Sequence, residues 1–349
     1  ELNDMGYKLE AWESGKAPTE NITDPQVRKA WYNKRRGVVD DGVRMFMQDD
    51  PYPRSIKSTE LLPPVLSKEG LKDTLMTSEE LNNISNTLYT ETLFDEFRKQ
   101  TGERSIVMFH AYSATVASHR WPFQWAGDYR AANGLMNASL SAHSMVSYDI
   151  RNPFPSGWHQ GFFAPFSIVN SWAYYREPWL YSESMEESQR RYACLRSRLV
   201  PYYYSSLWQA HTTGMPILRP MATYWHDDPE THHMISQFMV GDWFLLGLSD
   251  SDDAPAGEKV DFWTGEQKGN TGPIYLPKGR WIDYWSGELM DVAESDWVTV
   301  EWPRFMGGPL FVKAGAILPM TQVKNYTTEK EDEIVVLDIY PHEESEYQL

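Results

Sequence analysis

An α/β barrel followed by an antiparallel β-sandwich is the fold predicted for this sequence, on three observations. Short apolar runs alternate with helical patterns through about residue 214, the order that builds a parallel sheet with helices packed on it. Polar residues stand at successive strand ends, which points to a (β/α)8 barrel with its site on the C-terminal face. After Pro216 the chain breaks into short segments separated by Gly, Pro and Asp, a sandwich pattern.

Residues 1–25, rich in Gly, Pro, Glu and Thr, read as a long excursion before a helix. Asp24 is placed to cap that helix and Pro25 to open it, which predicts a helix over Pro25–Arg36. Gly37–Asp50 reads as a loop and then a strand, in which the apolar run Gly42–Asp49 delivers a carboxylate at its end. Ser78–Gly102 is mainly helical. Arg104–His110 is a second buried strand of the continuous apolar kind found in parallel sheets. A third strand leads through Phe123-Gln124-Trp125-Ala126-Gly127 to Asp128, Met145–Asp149 makes a fourth, and Gly161–Asn170 a fifth. One long helix is expected from Glu186 to Gly214, with Leu195, Leu199, Tyr203 and Leu207 spaced by four on one face. Strands are then expected within Gln237–Leu248, Pro273–Pro277, Trp281–Trp285, Trp297–Trp302 and Leu310–Pro319. The predicted domains are 1–214, 215–320 and 321–349.

Composition narrows the function. With 41% apolar residues over 349 positions the chain is globular and long enough for two cores. Its 32 basic residues against 49 acidic ones, a net charge of −17, argue against nucleic acid as a partner, because phosphate binding needs a concentrated positive field. The single Cys194 excludes an intrachain disulfide and a cysteine-based zinc cluster. No apolar run approaches a membrane span, so no membrane partner is expected. The 15 Trp and 20 Tyr suit flat, hydroxyl-rich ligands such as carbohydrate.

Asp49 and Asp128 are the candidate catalytic pair. Two carboxylates at strand ends suit glycoside hydrolysis, which needs one group ionised to attack an oxocarbenium-like carbon and another protonated to release the leaving oxygen. Trp125, beside Asp128, offers a stacking face and an apolar surrounding. Aspartates after strands also serve as turn and cap residues, and Asp50 is the rival to Asp49. His232-His233 lacks a third ligand at useful spacing, and no phosphate loop, dinucleotide fingerprint or nucleophile elbow is present. No cofactor or metal is implied. His110 and His119 are read as satisfying local hydrogen bonds, and Trp158 and Trp172 as core or rim packing.

An ordered series of segments resembles glycoside hydrolase family 31, the α-glucosidase and α-xylosidase group. Trp125-Ala126-Gly127-Asp128 is similar to the family's acid/base motif, and Phe46-Met47-Gln48-Asp49 to its nucleophile strand. Tyr148-Asp149-Ile150, Phe163-Ala164-Pro165-Phe166, Leu195-Arg196 through Pro201-Tyr202, Ala210-His211 through Pro216, Arg219-Pro220 and Pro309–Gly315 follow in the family's order. The resemblance implies a partial TIM barrel, roughly strands 4 to 8, then the first C-terminal β-domain. A missing N-terminal portion of the same protein is expected, and the end of the chain is expected to run on into a further β-domain.

It implies also a retaining, exo-acting α-glycosidase in which Asp49 is the nucleophile and Asp128 the acid/base, with a carbohydrate substrate. Arg120, Trp125, Asp149, Tyr112, Asn170 and Phe163 are the implied substrate-binding residues, with Arg120 read equally as a structural ion-pair partner. Tyr112 and Asn170 stand where glucose-cleaving members have an arginine and a histidine, and Asp49 is followed by Asp50-Pro51 where the family usually continues Met-Asn-Glu. These departures suggest a pocket for a different sugar or substituent. A transglycosidase or α-glucan lyase on the same covalent intermediate, and a non-catalytic carbohydrate-binding homologue, remain as alternatives. Homo-oligomerisation is left open, and the family's frequent export favours a secreted or periplasmic location.

Overall fold

The computed structural model describes residues 2–14, 22–49, 78–110, 119–121, 123–127, 132–150, 155–169, 178–180, 183–249, 270–330, 335–342 and 346. They form two compact units, residues 1–127 and 128–349.

The first unit holds β1 (Leu9–Ser14), α1 (Pro25–Asn33), α2 (Arg36–Asp40), β2 (Val43–Asp49), α3 (Ser78–Thr101), β3 (Ile106–His110) and β4 (Phe123–Trp125). The strands are parallel and ordered β1-β2-β3-β4. β1 was not anticipated in the excursion expected before α1. Its sequence, Leu-Glu-Ala-Trp-Glu-Ser, carries two glutamates and lacks the β-branched run that marks a buried strand. The helix expected to Arg36 stops at Asn33 and restarts at Arg36. At its start Asp24 accepts from the Gln26 amide at 2.7 Å, with Pro25 in the first turn.

One face of this sheet is helix-covered. Phe46 and Val107 pack with Tyr32, Val39, Leu93 and Phe97, and Ala11 joins them. Phe46 meets Phe97 edge-on at 6.3 Å. On the same side Glu13 pairs with Arg35 at 2.6 Å, and Arg35 lies 3.7 Å over the Trp31 ring.

The second unit begins with α4 (Ala132–Leu140), β5 (Met145–Ser147), α5 (Pro155–Phe163), α6 (Glu183–Arg198) and α7 (Val200–Thr213). It continues through β6 (Leu218–Pro220), β7 (Gln237–Val240), β8 (Phe244–Gly247), β9 (Thr271–Leu276), β10 (Gly279–Asp283) and β11 (Leu289–Val292). β12 (Asp296–Glu301), β13 (Leu310–Lys313), β14 (Ile317–Met320) and β15 (Val336–Ile339) complete it.

Two expectations change here. The fifth strand expected within Gly161–Asn170 is instead the end of α5 and a short extended stretch, where Ile168 bridges Asp149 in parallel. Apolar runs of this length fit a buried helix as well as a strand, and α5 is buried along nearly all of its length. The long helix from Glu186 to Gly214 breaks at Leu199, because Pro201 has no N–H for the Ser197 carbonyl and its ring crowds that turn. Leu199 and Tyr203 of the expected stripe are nonetheless buried. Gly214 closes α7 at φ +80, its N–H returning to the Ala210 carbonyl.

The sandwich comprises a sheet ordered β11-β10-β13-β8-β7-β6 and the antiparallel pair β9-β12. Met221, Met239, Leu245, Ile274, Leu276, Trp281 and Phe311 share its core. β14 pairs with β15. α7 is tied to this domain by the Tyr202 hydroxyl, which donates to the Val240 carbonyl at 2.7 Å.

Candidate active site

Side chains alternate between the faces of a strand, and directly paired residues of neighbouring strands share a face. Phe46 and Gln48 lie on the helix-covered side, so Met45, Met47 and Asp49 lie on the other. The register places Met108 of β3 beside Met47, and His110 beside Trp125 of β4. The last β2–β3 pair is Gln48 with Phe109, and one step on Asp49 stands level with His110. With strands about 4.8 Å apart, Asp49, His110 and Trp125 form a row along the C-terminal edge of one sheet face.

That row is held from both sides. Behind it, the Thr90 hydroxyl of α3 donates to Gln48 Oε1 at 2.6 Å, fixing the end of β2 one residue before Asp49. Within it, the His110 and Trp125 rings meet edge-on, centroids 4.8 Å apart and planes at 85°, both 4% exposed. Beyond Trp125 the chain turns through Gly127 at φ +79, where a Cβ would stand 3.1 Å from His110 Nε2. Glycine is required there twice, for the left-handed backbone and for the space.

The other expected site residues are distributed as follows. Arg120 is exposed, 3.3 Å from Glu91 and 5.5 Å over the Trp121 ring. In the second unit Asp149 is buried just after β5, and the Ile150 amide donates to the Ile168 carbonyl at 2.9 Å. Phe163 is buried at the end of α5, its ring 5.7 Å from Phe244 and 5.8 Å from His159. Asp128, Tyr112 and Asn170 lie outside the described residues, as do Asp50 and Trp172. Trp158 is fully buried.

The segment between Phe163 and Ile168 is gripped by side chains. Arg196 donates to the carbonyls of Ala164 (2.5 Å) and Pro165, and its guanidinium lies 3.9 Å over the Tyr203 ring. The Tyr203 hydroxyl donates to the Phe163 carbonyl at 2.9 Å, and Ser167 Oγ to that of Gly161 at 2.8 Å. The carbonyls of Gly161 and Phe163, in the last turn of α5 and without a partner inside the helix, are thereby satisfied.

Sequence reasoning set His110 aside as a local hydrogen-bonding group. The signal that finds it is register: once Gln48 and Phe109 pair, His110 must share a face with Asp49. Among the described residues no group of His, Cys, Asp or Glu is arranged to hold a metal ion. His232 instead bonds through Nε2 to the His226 carbonyl at 2.7 Å. No helix among the described residues is long and apolar enough to cross a membrane.

Residues 2–206 match the glycosyl hydrolases family 31 TIM-barrel domain, and residues 214–318 the glycosyl hydrolase family 31 C-terminal domain. The chain is 26% identical to alpha-glucosidase 2 of Bacillus thermoamyloliquefaciens over 96% of its own length and 42% of that protein's. It is 21% identical to an alpha-xylosidase of Saccharolobus solfataricus, over 93% of its own length and 44% of that protein's. A solved dextranase from Flavobacterium johnsoniae, complexed with glucose, superposes with a TM-score of 0.75 at 24% identity, covering 93% of this chain and 40% of the other. The chain thus spans about two fifths of the length of these relatives, and the superposition speaks to the fold: a parallel barrel domain followed by a β-rich C-terminal domain.

Proposed function

This chain belongs to glycosyl hydrolase family 31, and on that premise we propose that the complete protein is a retaining, exo-acting α-glycosidase. Asp49 is the nucleophile. It attacks the anomeric carbon as Asp128 gives its proton to the departing oxygen, leaving a covalent glycosyl-aspartate. Asp128, now a carboxylate, takes a proton from the incoming water, whose oxygen displaces Asp49 and returns the original anomeric configuration. Direct attack requires the two carboxyl groups about 5 to 5.5 Å apart; the wider gap of inverting enzymes leaves room for a water.

The observation that carries the reading is the place of Asp49. It ends a parallel strand, on the face shared by His110 and Trp125 and at the edge where barrel enzymes do their chemistry. Support for Asp128 comes from its position directly after Trp125-Ala126-Gly127. Trp125, Arg120, Asp149, Tyr112, Asn170 and Phe163 are proposed to shape the sugar site. Tyr112 and Asn170 carry hydrogen-bonding groups unlike the arginine and histidine expected for glucose, so sugar preference is decided around them.

The test is a panel of aryl α-glycosides (glucose, xylose, galactose and N-acetylgalactosamine) given to the complete protein, followed by Asp49→Ala and Asp128→Ala on the best substrate. Each substitution is expected to lower turnover on the order of 10⁴-fold, as when one member of a catalytic unit is deleted. Near-normal turnover in either variant removes that residue from its role. Products retaining the α configuration support the double displacement, and inverted products exclude it. Transfer products, or an unsaturated sugar, would move the assignment to transglycosidase or lyase.

A further inference from the structure

The row at the edge of the first unit contains a side chain to which the double displacement gives no task. His110 lies between Asp49 on one strand and Trp125 on the next, and its ring has little solvent contact. Two features of its surroundings are specific. Trp125 stands edge-on to it, the ring centroids 4.8 Å apart. Its Nε2 reaches toward Gly127 closely enough that a Cβ there would sit at 3.1 Å, tighter than ordinary carbon contacts. The histidine ring therefore lies against both the first and the last residue of the turn Trp125-Ala126-Gly127.

Gly127 is followed in the chain by Asp128. Both ends of the turn thus pack against one ring, and in general acid catalysis a misplacement of about 1 Å can cost on the order of 100-fold. We infer that His110 is a positioning residue for proton donation to the leaving group, acting through the Trp125–Gly127 turn. A residue that merely filled the core would have no preference for one half of the reaction. His110 packs against both ends of the turn that leads to Asp128, so its loss is expected to weaken leaving-group protonation selectively. The assignment rests on the proposed role of Asp128.

Leaving-group dependence is the readout that separates positioning from packing. A 2,4-dinitrophenyl α-glycoside departs without a proton, whereas a methyl α-glycoside or a disaccharide must be protonated. In the complete protein His110→Leu is expected to lower kcat/KM on the disaccharide about 100-fold and on the dinitrophenyl glycoside no more than about threefold, the scale of a lost general acid. His110→Gln, which keeps a polar atom near Nε2, is expected to recover part of the disaccharide activity. Gly127→Ala approaches the same contact from the other side and should reproduce the selective loss even if His110→Leu folds poorly. The basic limb of the kcat/KM–pH profile on the disaccharide should shift in these variants, because it reports the acid group.

Equal losses on both substrates, or none on either, would overturn the inference. Wild-type protein inert toward both substrates overturns the enzymatic reading and this assignment with it. That failure is recognised before any substitution is made.

Discussion

Two of the buried histidines, one from each unit, show how differently the two parts of the molecule use polar side chains. His159 in α5 is fully buried, and both ring nitrogens are committed. Tyr192 of α6 lies 2.8 Å from Nδ1, and the Gly247 carbonyl of β8 lies 3.1 Å from Nε2. The Tyr192 hydroxyl also accepts from the Gly307 amide at 2.8 Å, so its proton goes to His159 and the ring's own proton to Gly247. Burial lowers the His159 pKa to about 3. It is a neutral interlock joining α5, α6 and the sandwich. His110 instead stands at a strand end, beside a proposed nucleophile and a glycine turn, where packing serves geometry at a reaction edge. Similar burial thus accompanies two tasks, and what distinguishes them is what each ring touches.

The sharpest way to break this contrast is to open the polar network of the second unit. Arg219 in β6 is completely buried, ion-paired to Asp242 and bonded to Tyr224, Gln209 (2.5 Å) and the Pro216 carbonyl (2.7 Å). Asp242→Ala leaves that cation without its counter-charge and is expected to cost about 3 kcal/mol in denaturant unfolding, with Asp242→Asn costing less. A loss below about 0.5 kcal/mol would show this network to be as dispensable as a surface pair.

Next in size is Gly307→Ala. A Cβ there would meet the Pro155 carbonyl oxygen at 1.9 Å, a backbone clash at the start of α5 that no rotamer relieves. About 2 to 3 kcal/mol of destabilisation is expected. Gly37→Ala in α2 is the control: nothing lies within 4 Å of its Cβ, and the change should stabilise by about 0.5 kcal/mol or more. Melting temperatures moving in the same direction for both would refute the interlock.

Smallest at neutral pH, and growing with acid, is the effect of His159 itself. Its pKa is lowered in the folded protein to about 3, from an ordinary 6.5. Below pH 6.5 the unfolded chain therefore takes up a proton that the folded one refuses. Stability from the neutral ring is complete above 6.5 and is lost as pH falls toward 3, at up to about 1.4 kcal/mol per pH unit. His159→Phe should flatten the decline of melting temperature between pH 6.5 and 4.5. An unchanged slope would mean that His159 does not govern the acid response.

Much of the chain was legible before folding. The cap at Asp24, the strands ending at Asp49, His110 and Trp125, α3 and the sandwich after Pro216 all follow from local patterns: a side-chain acceptor before proline, apolar runs, glycine-punctuated short segments. What escaped did so for stated reasons. β1 carries two glutamates and no β-branched run, α5 is a buried apolar helix indistinguishable from a strand by periodicity, and the break at Leu199 was hidden by a persistent four-residue stripe. Of the candidate site, Asp49, Trp125 and Asp149 were named from sequence, whereas His110 was assigned only local hydrogen bonding.

By itself the sequence determined the fold class, the order of most elements and the family, because hydrophobic period, turn residues and motif order are written along one dimension. Tertiary structure alone decided which side chains stand abreast. That His110 meets Trp125 and Gly127, or that Arg196 reaches the carbonyls of Ala164 and Pro165, depends on strand register and helix packing. A one-residue slip would carry each strand's side chains to the opposite face while leaving the sequence pattern unchanged.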